Sequence, residues 1–150
     1  MVRTAPQPGL GLDEQLCFAL YAASRAVTAR YRPLLEGLGL TYPQYLVMLV
    51  LWDHGTVSVR ELGGHLQLDS GTLSPLLKRL EASGVLTRTR STTDERSVEI
   101  SLTEEGERLR EQARAVPPII AGATGLSEPE LTRLQATLET MTERVAADLR

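Results

Sequence analysis

The sequence is poor in the residue types that build metal sites and disulfide frameworks. Its 150 residues include one cysteine, Cys17, and two histidines, His54 and His65. A single cysteine excludes an intrachain disulfide, and no group of His, Cys and carboxylate residues has the spacing of a metal site. We therefore expect no metal and no cofactor, and we interpret the two histidines as structural residues.

Long apolar runs and an excess of positive charge are also missing. No stretch approaches the roughly 20 apolar residues of a membrane-spanning helix. Residues 1–11 are polar and proline-rich and lack the features of a signal peptide, so we expect a disordered N-terminal tail. These absences predict a cytoplasmic protein without membrane contact. The net charge of −3 argues, at first, against a partner as acidic as DNA.

The acidic excess comes from one part of the chain. Residues 103–150 contain nine acids and six bases, which accounts for the whole net charge. Residues 70–96 contain five bases and three acids, a local charge of +2. Positive charge is therefore concentrated in one segment, as expected for a nucleic-acid-binding surface.

The first part of the segment 58–102 has the pattern of a helix-turn-helix. Ser58, with Glu61 three residues later, is typical of a capped helix start. A second helix, for which we predict a regular start near Thr72, has apolar residues at i, i+3, i+4 and i+7 and therefore one buried face. The other face combines hydroxyl groups near the N-terminus with two cations, which suits a helix in the DNA major groove. The candidate DNA contacts are Ser70, Thr72, Ser74, Lys78 and Arg79.

A hairpin with strand-like composition follows this helix. The run 97–102 alternates strictly between polar and apolar residues, and the run 85–91 precedes it. Arg88 and Arg90 lie two apart on one face of the first strand and would point toward a DNA backbone. Arg96 near the tip would enter the minor groove, whose negative potential attracts a guanidinium group. We interpret the hairpin as a wing, although two helices and a hairpin could also form a protein-interaction module.

Two helices are predicted before the winged segment. The first begins with a cap at Asp13 and extends to about Leu38, and glycines mark its end. The second begins after Thr41, which is typical of an N-cap, and it is apolar on nearly all sides. We therefore expect the second helix to be central and buried.

Two further helices are predicted after the hairpin. One covers residues 104–116 and is broken by Pro117 and Pro118, which a loop would follow. The last begins after Ser127 and carries apolar residues at spacings of three and four, a pattern that favours packing on a partner helix. That partner could belong to a second subunit, in a two-fold dimer, or to the same chain.

Cys17 is predicted to lie one turn inside the first helix. A lone cysteine among apolar neighbours is most often a small core residue. A functional role is favoured by the nearby positive end of the helix dipole and by Tyr21, which is adjacent on the helix surface. Tyr31 lies nearly on the same stripe but about 21 Å farther along the axis, at ~1.5 Å per residue. A contact between Cys17 and Tyr31 would therefore need the helix of another subunit.

Short motifs spread over residues 12–148 are typical of one family of regulators. Asp94-Glu-Arg96 of the hairpin is followed by Leu-Thr-Glu-Glu-Gly, and Gln-Leu-Cys-Phe surrounds Cys17. With these motifs the chain resembles the MarR family of winged-helix regulators, and more closely its organic hydroperoxide resistance type. The segments that carry the resemblance are 12–25, 40–45, 68–79 and 94–106.

The resemblance implies a mainly α fold with a small β wing. In this α+β winged helix-turn-helix, the N- and C-terminal helices form a dimerisation domain. Residues 12–150 would then be a single domain, in which 12–40 and 103–150 supply the dimerisation helices and 41–102 binds DNA. The implied activity is repression by a homodimer that binds an inverted-repeat DNA operator while its cysteine is reduced.

The resemblance also assigns roles to individual residues. An organic hydroperoxide would oxidise Cys17 to a sulfenic acid. Loss of the tyrosine hydrogen bonds to the sulfur would then shift the terminal helices and separate the recognition helices. In the wing, Arg96 would enter the minor groove and Asp94 would orient it. The tyrosines near the sulfur would be Tyr21 and Tyr31 of the opposite subunit, together with Tyr42.

One feature departs from many sensors of this type. The chain has no second, resolving cysteine, so a sulfenic acid at Cys17 would react with a low-molecular-weight thiol, cyclise with a backbone nitrogen or become overoxidised. We expect the thiol route to give reversible release of DNA.

Three rival interpretations stay open at this point. A regulator of the same family could bind a small phenolic or carboxylate ligand, with Cys17 merely packed. A thiol peroxidase would also use Cys17, but turnover needs a resolving cysteine or a reductant site, so we expect no enzymatic activity. A dimerisation protein that does not bind DNA is disfavoured by the basic wing.

Overall fold

A computed structural model describes residues 9–150 of the chain. The predicted disorder of residues 1–11 falls mostly on positions that lie outside the described residues. Two compact units are present, Met1–Arg114 and Ala115–Arg150. The elements in chain order are α1 (Leu16–Glu36), α2 (Tyr42–His54), β1 (Val57–Ser58), α3 (Val59–Leu66), α4 (Ser70–Ala82), β2 (Leu86–Arg90), β3 (Val98–Leu102), α5 (Glu104–Ala113), α6 (Val116–Thr124) and α7 (Glu128–Asp148).

Helix α2 forms the core of the first unit, as predicted. Thr41 and Gln44 exchange side-chain and backbone hydrogen bonds at its start, which satisfies two amides that have no helical acceptor. Complete burial of a large apolar side chain contributes roughly 1.5–3 kcal/mol, so this one helix supplies a large share of the unit's stability. Six of its thirteen residues are buried: Tyr45, Val47, Met48, Val50, Leu51 and Trp52.

Helices α3 and α4 form the predicted helix-turn-helix, but α4 begins at Ser70, two residues before the predicted start. The reason is a cap by Asp69, whose Oδ1 accepts from the backbone N of Thr72 at 2.7 Å. Pro75 consequently lies inside the helix and not in its first turn. The predicted apolar face is confirmed, because α4 buries Leu73, Leu77 and Leu80.

The wing is an antiparallel hairpin of β2 and β3, in register from Leu86 opposite Leu102 to Arg90 opposite Val98. A third strand, β1, pairs with β3 on its other side, which gives the sheet order β1-β3-β2. The sequence analysis missed β1 because its two residues are too few to show an alternating pattern.

The start of α1 differs from the prediction. Leu12–Glu14 form a separate 3-10 turn, and α1 begins at Leu16 without a side-chain cap, so the predicted cap at Asp13 is wrong. Gln15 is extended between the two, and its side-chain amide donates to the backbone O of Gly9 and of Gly11, which precede the turn. Cys17 is therefore the second residue of α1 and does not lie one turn inside it.

The second unit contains α6 and α7. Pro117 and Pro118 lie in the first turn of α6, so the loop predicted after them is wrong. Amides in a first helical turn have no helical acceptor, which lets prolines start a helix as well as end one. Helix α7 is capped by Ser127, as predicted. Within residues 9–150, none of the helices has the length and hydropathy that a membrane crossing requires.

Candidate DNA-binding surface and thiol site

The outer face of α4 presents the predicted recognition residues. Asp69 holds the helix start, and the apolar side is buried, so the polar side is directed away from the core. The result is a row of hydroxyl groups at the N-terminal end with two cations farther along. All five predicted contacts are exposed: Ser70, Thr72, Ser74, Lys78 and Arg79.

The tip of the wing is a structured turn that carries Arg96. The Oγ of buried Ser91 accepts from the backbone amides of Thr93 and Asp94. Asp94 Oδ1 then accepts from the backbone N of Arg96 at 3.0 Å. Asp94 thus contacts the main chain of Arg96, and its role in orienting the guanidinium stays a prediction. Within residues 9–150 no ion pair or hydrogen bond engages the Arg96 guanidinium, so it is available to a partner.

Arg88 and Arg90 have different surroundings, although they lie on one face of β2. The guanidinium of Arg88 donates to Glu81 Oε1 from Nη2 at 3.1 Å and from Nε at 3.3 Å. Its backbone N donates to Glu81 Oε2 at 3.0 Å. These hydrogen bonds hold the pKa of the Glu81 carboxyl below its ordinary value. Arg88 therefore ties the wing to the end of α4, whereas Arg90 is exposed; a DNA contact by Arg88 stays a prediction.

A groove of about 1000 Å³ between α3, the start of α4 and the wing tip brings a further cation into the surface. Its lining includes Arg60 of α3, Ser70 of α4 and Arg96 of the wing. The sequence analysis missed Arg60, since only the fold places it across the groove from Arg96. A DNA contact by Arg60 could have been predicted from its position in the first turn of α3, because the first helix of a helix-turn-helix crosses the DNA backbone.

Three tyrosines cluster between α1 and α2. The ring centroid of Tyr31 lies 4.9 Å from that of Tyr42 and 5.6 Å from that of Tyr45. Burial raises the pKa of all three phenols, that of Tyr45 to about 12. Their hydroxyl groups therefore stay protonated, as hydrogen-bond donors, at neutral pH. Tyr45 lies on the helix that the sequence predicted to be buried, and its spacing of three from Tyr42 is the signal that would have placed it in the cluster.

Cys17 lies apart from this cluster. It is exposed at the start of α1, and α1 continues unbroken to the region of Tyr31, about 21 Å away at ~1.5 Å per residue. Tyr21 is one turn from Cys17 and is exposed, with the Arg25 guanidinium 5.5 Å from its ring centroid. One chain therefore brings Tyr31 and Tyr42 together but does not bring Cys17 to them.

The two histidines stack on each other. The rings of His54 and His65 lie 4.3 Å apart at an angle of 23°, and His54 Nε2 lies 3.3 Å from Asp53 Oδ2. Across residues 9–150 no group of three or more His, Cys, Asp or Glu residues is placed to hold a metal ion.

The chain is similar to known transcriptional regulators. The family model described as transcriptional regulator SarA/Rot matches residues 29–112. The organic hydroperoxide resistance transcriptional regulator of Bacillus subtilis strain 168 is 52% identical over 132 residues, which is 88% of this chain and 90% of that protein.

Solved structures of AbfR, a protein of Staphylococcus epidermidis, have the same fold. Reduced AbfR bound to DNA superposes with a TM-score of 0.77 at 35% identity, over 93% of this chain and 95% of AbfR. Disulfide-formed AbfR gives a TM-score of 0.64 at 36% identity, over 87% and 92% of the two chains. The chain therefore belongs to the MarR family of winged-helix transcriptional regulators, and within it to the organic hydroperoxide resistance type.

Proposed function

We infer that the protein is a redox-sensing transcriptional repressor, which binds a DNA operator as a homodimer and releases it when organic hydroperoxide oxidises Cys17. The observation that carries this inference is the place of the only cysteine of the chain, exposed at the start of α1. Peroxide can reach a thiol there, and a change at the end of a long terminal helix can alter the assembly.

DNA binding uses the outer face of α4 and the wing. The B-DNA major groove is wide enough for a helix, and the exposed hydroxyls of α4 would face phosphates and base edges there. Arg96 would reach the adjacent minor groove of the DNA. The protein groove that Arg60 lines would then lie over the phosphates between the major and the minor groove. In a two-fold dimer the two copies of α4 would lie about 34 Å apart, one turn of DNA, so the operator would be an inverted repeat.

Exposed apolar side chains on the terminal helices support the homodimer. Leu16 and Phe18 of α1 are 64% and 41% exposed, and Leu134 and Val145 of α7 are 46% and 58% exposed. Apolar side chains left exposed together on one helix favour an interface on that helix. We propose that residues 12–40 and 103–150 pair across a two-fold axis, which would bring Cys17 close to the partner subunit's Tyr31.

The chemistry at Cys17 needs only the thiol and two small molecules. The Cys17 thiolate attacks the terminal oxygen of the hydroperoxide, an S–O bond forms, the O–O bond breaks, and the alkoxide leaves as the alcohol after it takes a proton. Sulfur is oxidised by two electrons to the sulfenic acid. A low-molecular-weight thiol then displaces water and forms a mixed disulfide. The hydroxyl groups of Tyr21, Tyr31 and Tyr42 would donate to the thiolate, and either adduct would displace them.

We propose that this reaction is a signal and not a catalytic cycle. The chain supplies no second thiol that could return Cys17 to the reduced state, so each oxidation persists until an external reductant removes it. Because its target is operator DNA, the repressor would act in the cytoplasm.

The test is a gel-shift titration on the DNA upstream of its own gene. Wild type and Cys17→Ser are compared with and without an organic hydroperoxide and a small thiol, and the state of Cys17 is read by mass spectrometry. We expect hydroperoxide plus thiol to weaken wild-type binding by at least about tenfold, or ~1.4 kcal/mol, reversibly on reduction, and to leave the Ser variant bound. Equal release of both proteins would instead favour a packed Cys17 and a small-molecule effector.

A further inference from the structure

We propose that Tyr45 and Trp52 are positioning residues, which transmit the state of the tyrosine cluster to the root of the wing. The tyrosine cluster is Tyr31, Tyr42 and Tyr45, and the root of the wing is the turn Gly84–Val85 between α4 and β2. The inference rests on the proposed function, because it explains how a change near Cys17 would reach the DNA-binding surface.

The first step runs from the tyrosine cluster to Trp52. Tyr45 is only 2% exposed, and its ring lies edge-on to that of Trp52, at 6.4 Å between centroids and 66° between planes. Tyr45 also contacts Tyr31 and lies 6.4 Å from Tyr42. Interiors are packed so closely that a ring cannot move without its neighbours. A displacement of Tyr31 or Tyr42 must therefore be taken up by Tyr45 and passed to Trp52.

The second step runs from Trp52 to α5. The indole Nε1 donates to the backbone O of Gly106 at 3.0 Å, in a buried environment, between residues 54 positions apart. An indole has a single N–H donor, and here the backbone O of Gly106 is its acceptor. Because a buried donor left without its acceptor is costly, Gly106 must follow when Trp52 moves.

The third step runs from Gly106 to the root of the wing. A Cβ on Gly106 would collide with the carbonyl O of Val85, so the two backbones are in direct contact. One turn earlier in the chain, Thr103 donates from its N to Val85 O at 3.1 Å and from Oγ1 to Gly84 O at 2.6 Å. The root of the wing is thus fixed to the start of α5, and a shift of Gly106 changes the angle between α4 and the hairpin.

Trp52 is the only tryptophan of the chain, which allows a direct test. Its fluorescence is measured in wild type and Cys17→Ser before and after hydroperoxide and thiol. We expect an emission change in wild type that follows DNA release in time and is missing in Cys17→Ser. Wild-type protein that releases DNA with unchanged Trp52 emission would overturn the inference and leave the proposed function intact.

Substitution tests the coupling itself. Operator affinity is measured for the reduced and the oxidised forms of Trp52→Phe, which keeps a ring but removes the donor to Gly106. We expect the reduced variant to bind the operator within about threefold of reduced wild type. The ratio of reduced to oxidised affinity should fall by about fivefold or more, which is a typical size for coupling between two sites. An unchanged ratio would show that the signal takes another route.

A second pair of variants decides the matter if Trp52→Phe does not fold. Tyr45→Leu removes the ring that joins Tyr31 to Trp52 and should reduce the same ratio, whereas Tyr45→Phe keeps the ring and should restore it. A structural role alone would lower the stability of Tyr45→Leu but leave the ratio unchanged. If wild type itself does not release DNA on oxidation, the proposed function is wrong, and that outcome is distinct from an unchanged ratio in the variants.

Discussion

Helices α2 and α7 differ in how many of their residues one chain buries. Helix α2 buries six of its thirteen residues inside the first unit, whereas α7, with twenty-one residues, buries none. Helix α1, also twenty-one residues long, buries only Leu35. The core of the winged part is therefore complete within one chain, whereas apolar side chains of the long terminal helices stay exposed. Changes in the terminal helices should therefore disturb assembly and, with it, DNA binding, whereas changes in the winged part should leave the dimer intact.

The largest effect is expected on the uncovered face of α7. Val145→Asp places a charge at a 58% exposed position that a partner would bury, and an unpaired buried charge costs about 3–5 kcal/mol. We expect the molecular mass in solution to fall toward the 16.4 kDa of one chain, and operator binding to weaken by on the order of 100-fold or more. Light scattering and gel shift measure the two.

The matched control is Ala147→Asp, two residues later and therefore on nearly the opposite side of α7. It adds the same charge at an exposed position and should leave a dimer that binds the operator. If both variants stay dimeric, the interface does not use this face of α7.

A smaller effect, without loss of the dimer, is expected in the wing. Arg96→Ala removes the guanidinium proposed for the minor groove and should weaken operator binding by about 1–3 kcal/mol, roughly 5- to 150-fold. Arg60→Ala should cost less and mainly lower the dependence of affinity on salt, since it would remove a phosphate contact. Titrations at several salt concentrations separate the two. Equal, sequence-independent losses would assign both arginines to the backbone.

The smallest effect is expected at the contact between α4 and β2. Glu81→Gln keeps an acceptor for the backbone N of Arg88 but removes the charge. Because the folded-state pKa of Glu81 lies below its ordinary 4.5, the pair stabilises the fold above that pH and loses its effect as pH falls through the lowered value. We expect a drop in melting temperature of a few degrees at most near neutral pH and none in strong acid. A drop that persists in acid would point to packing and not to charge.

The sequence predicted the winged part well because local patterns determine it. The alternation of β3, the apolar face of α4 and the caps at Thr41 and Ser58 are signals within a few residues of each other. Prediction was wrong where one residue can give two signals, as at Pro117, because a proline can end a helix or lie in the first turn of one; α5 already ends at Ala113, and Pro117 lies in the first turn of α6. It also missed Arg60 and the partnership of Arg88 with Glu81, because these depend on contacts between separate elements.

The candidate thiol site was predicted only as a set of residues. Cys17 lies at the start of α1 and Tyr31 in its second half, and no local pattern could show what surrounds either of them in an assembly. The role of Trp52 was hidden for the same reason, since its acceptor, Gly106, is 54 residues away.

In the proposed dimer, the length of α1 would set the stoichiometry of the response. Cys17 lies at the start of α1 and Tyr31 in its second half, so two copies related by a two-fold axis would form two composite sites, each with residues from both chains. Oxidation of a single thiol would then disturb helices of both chains, and one oxidised site per dimer would be enough to disturb both. A mixed dimer with one Cys17→Ser chain keeps one intact site and should still respond.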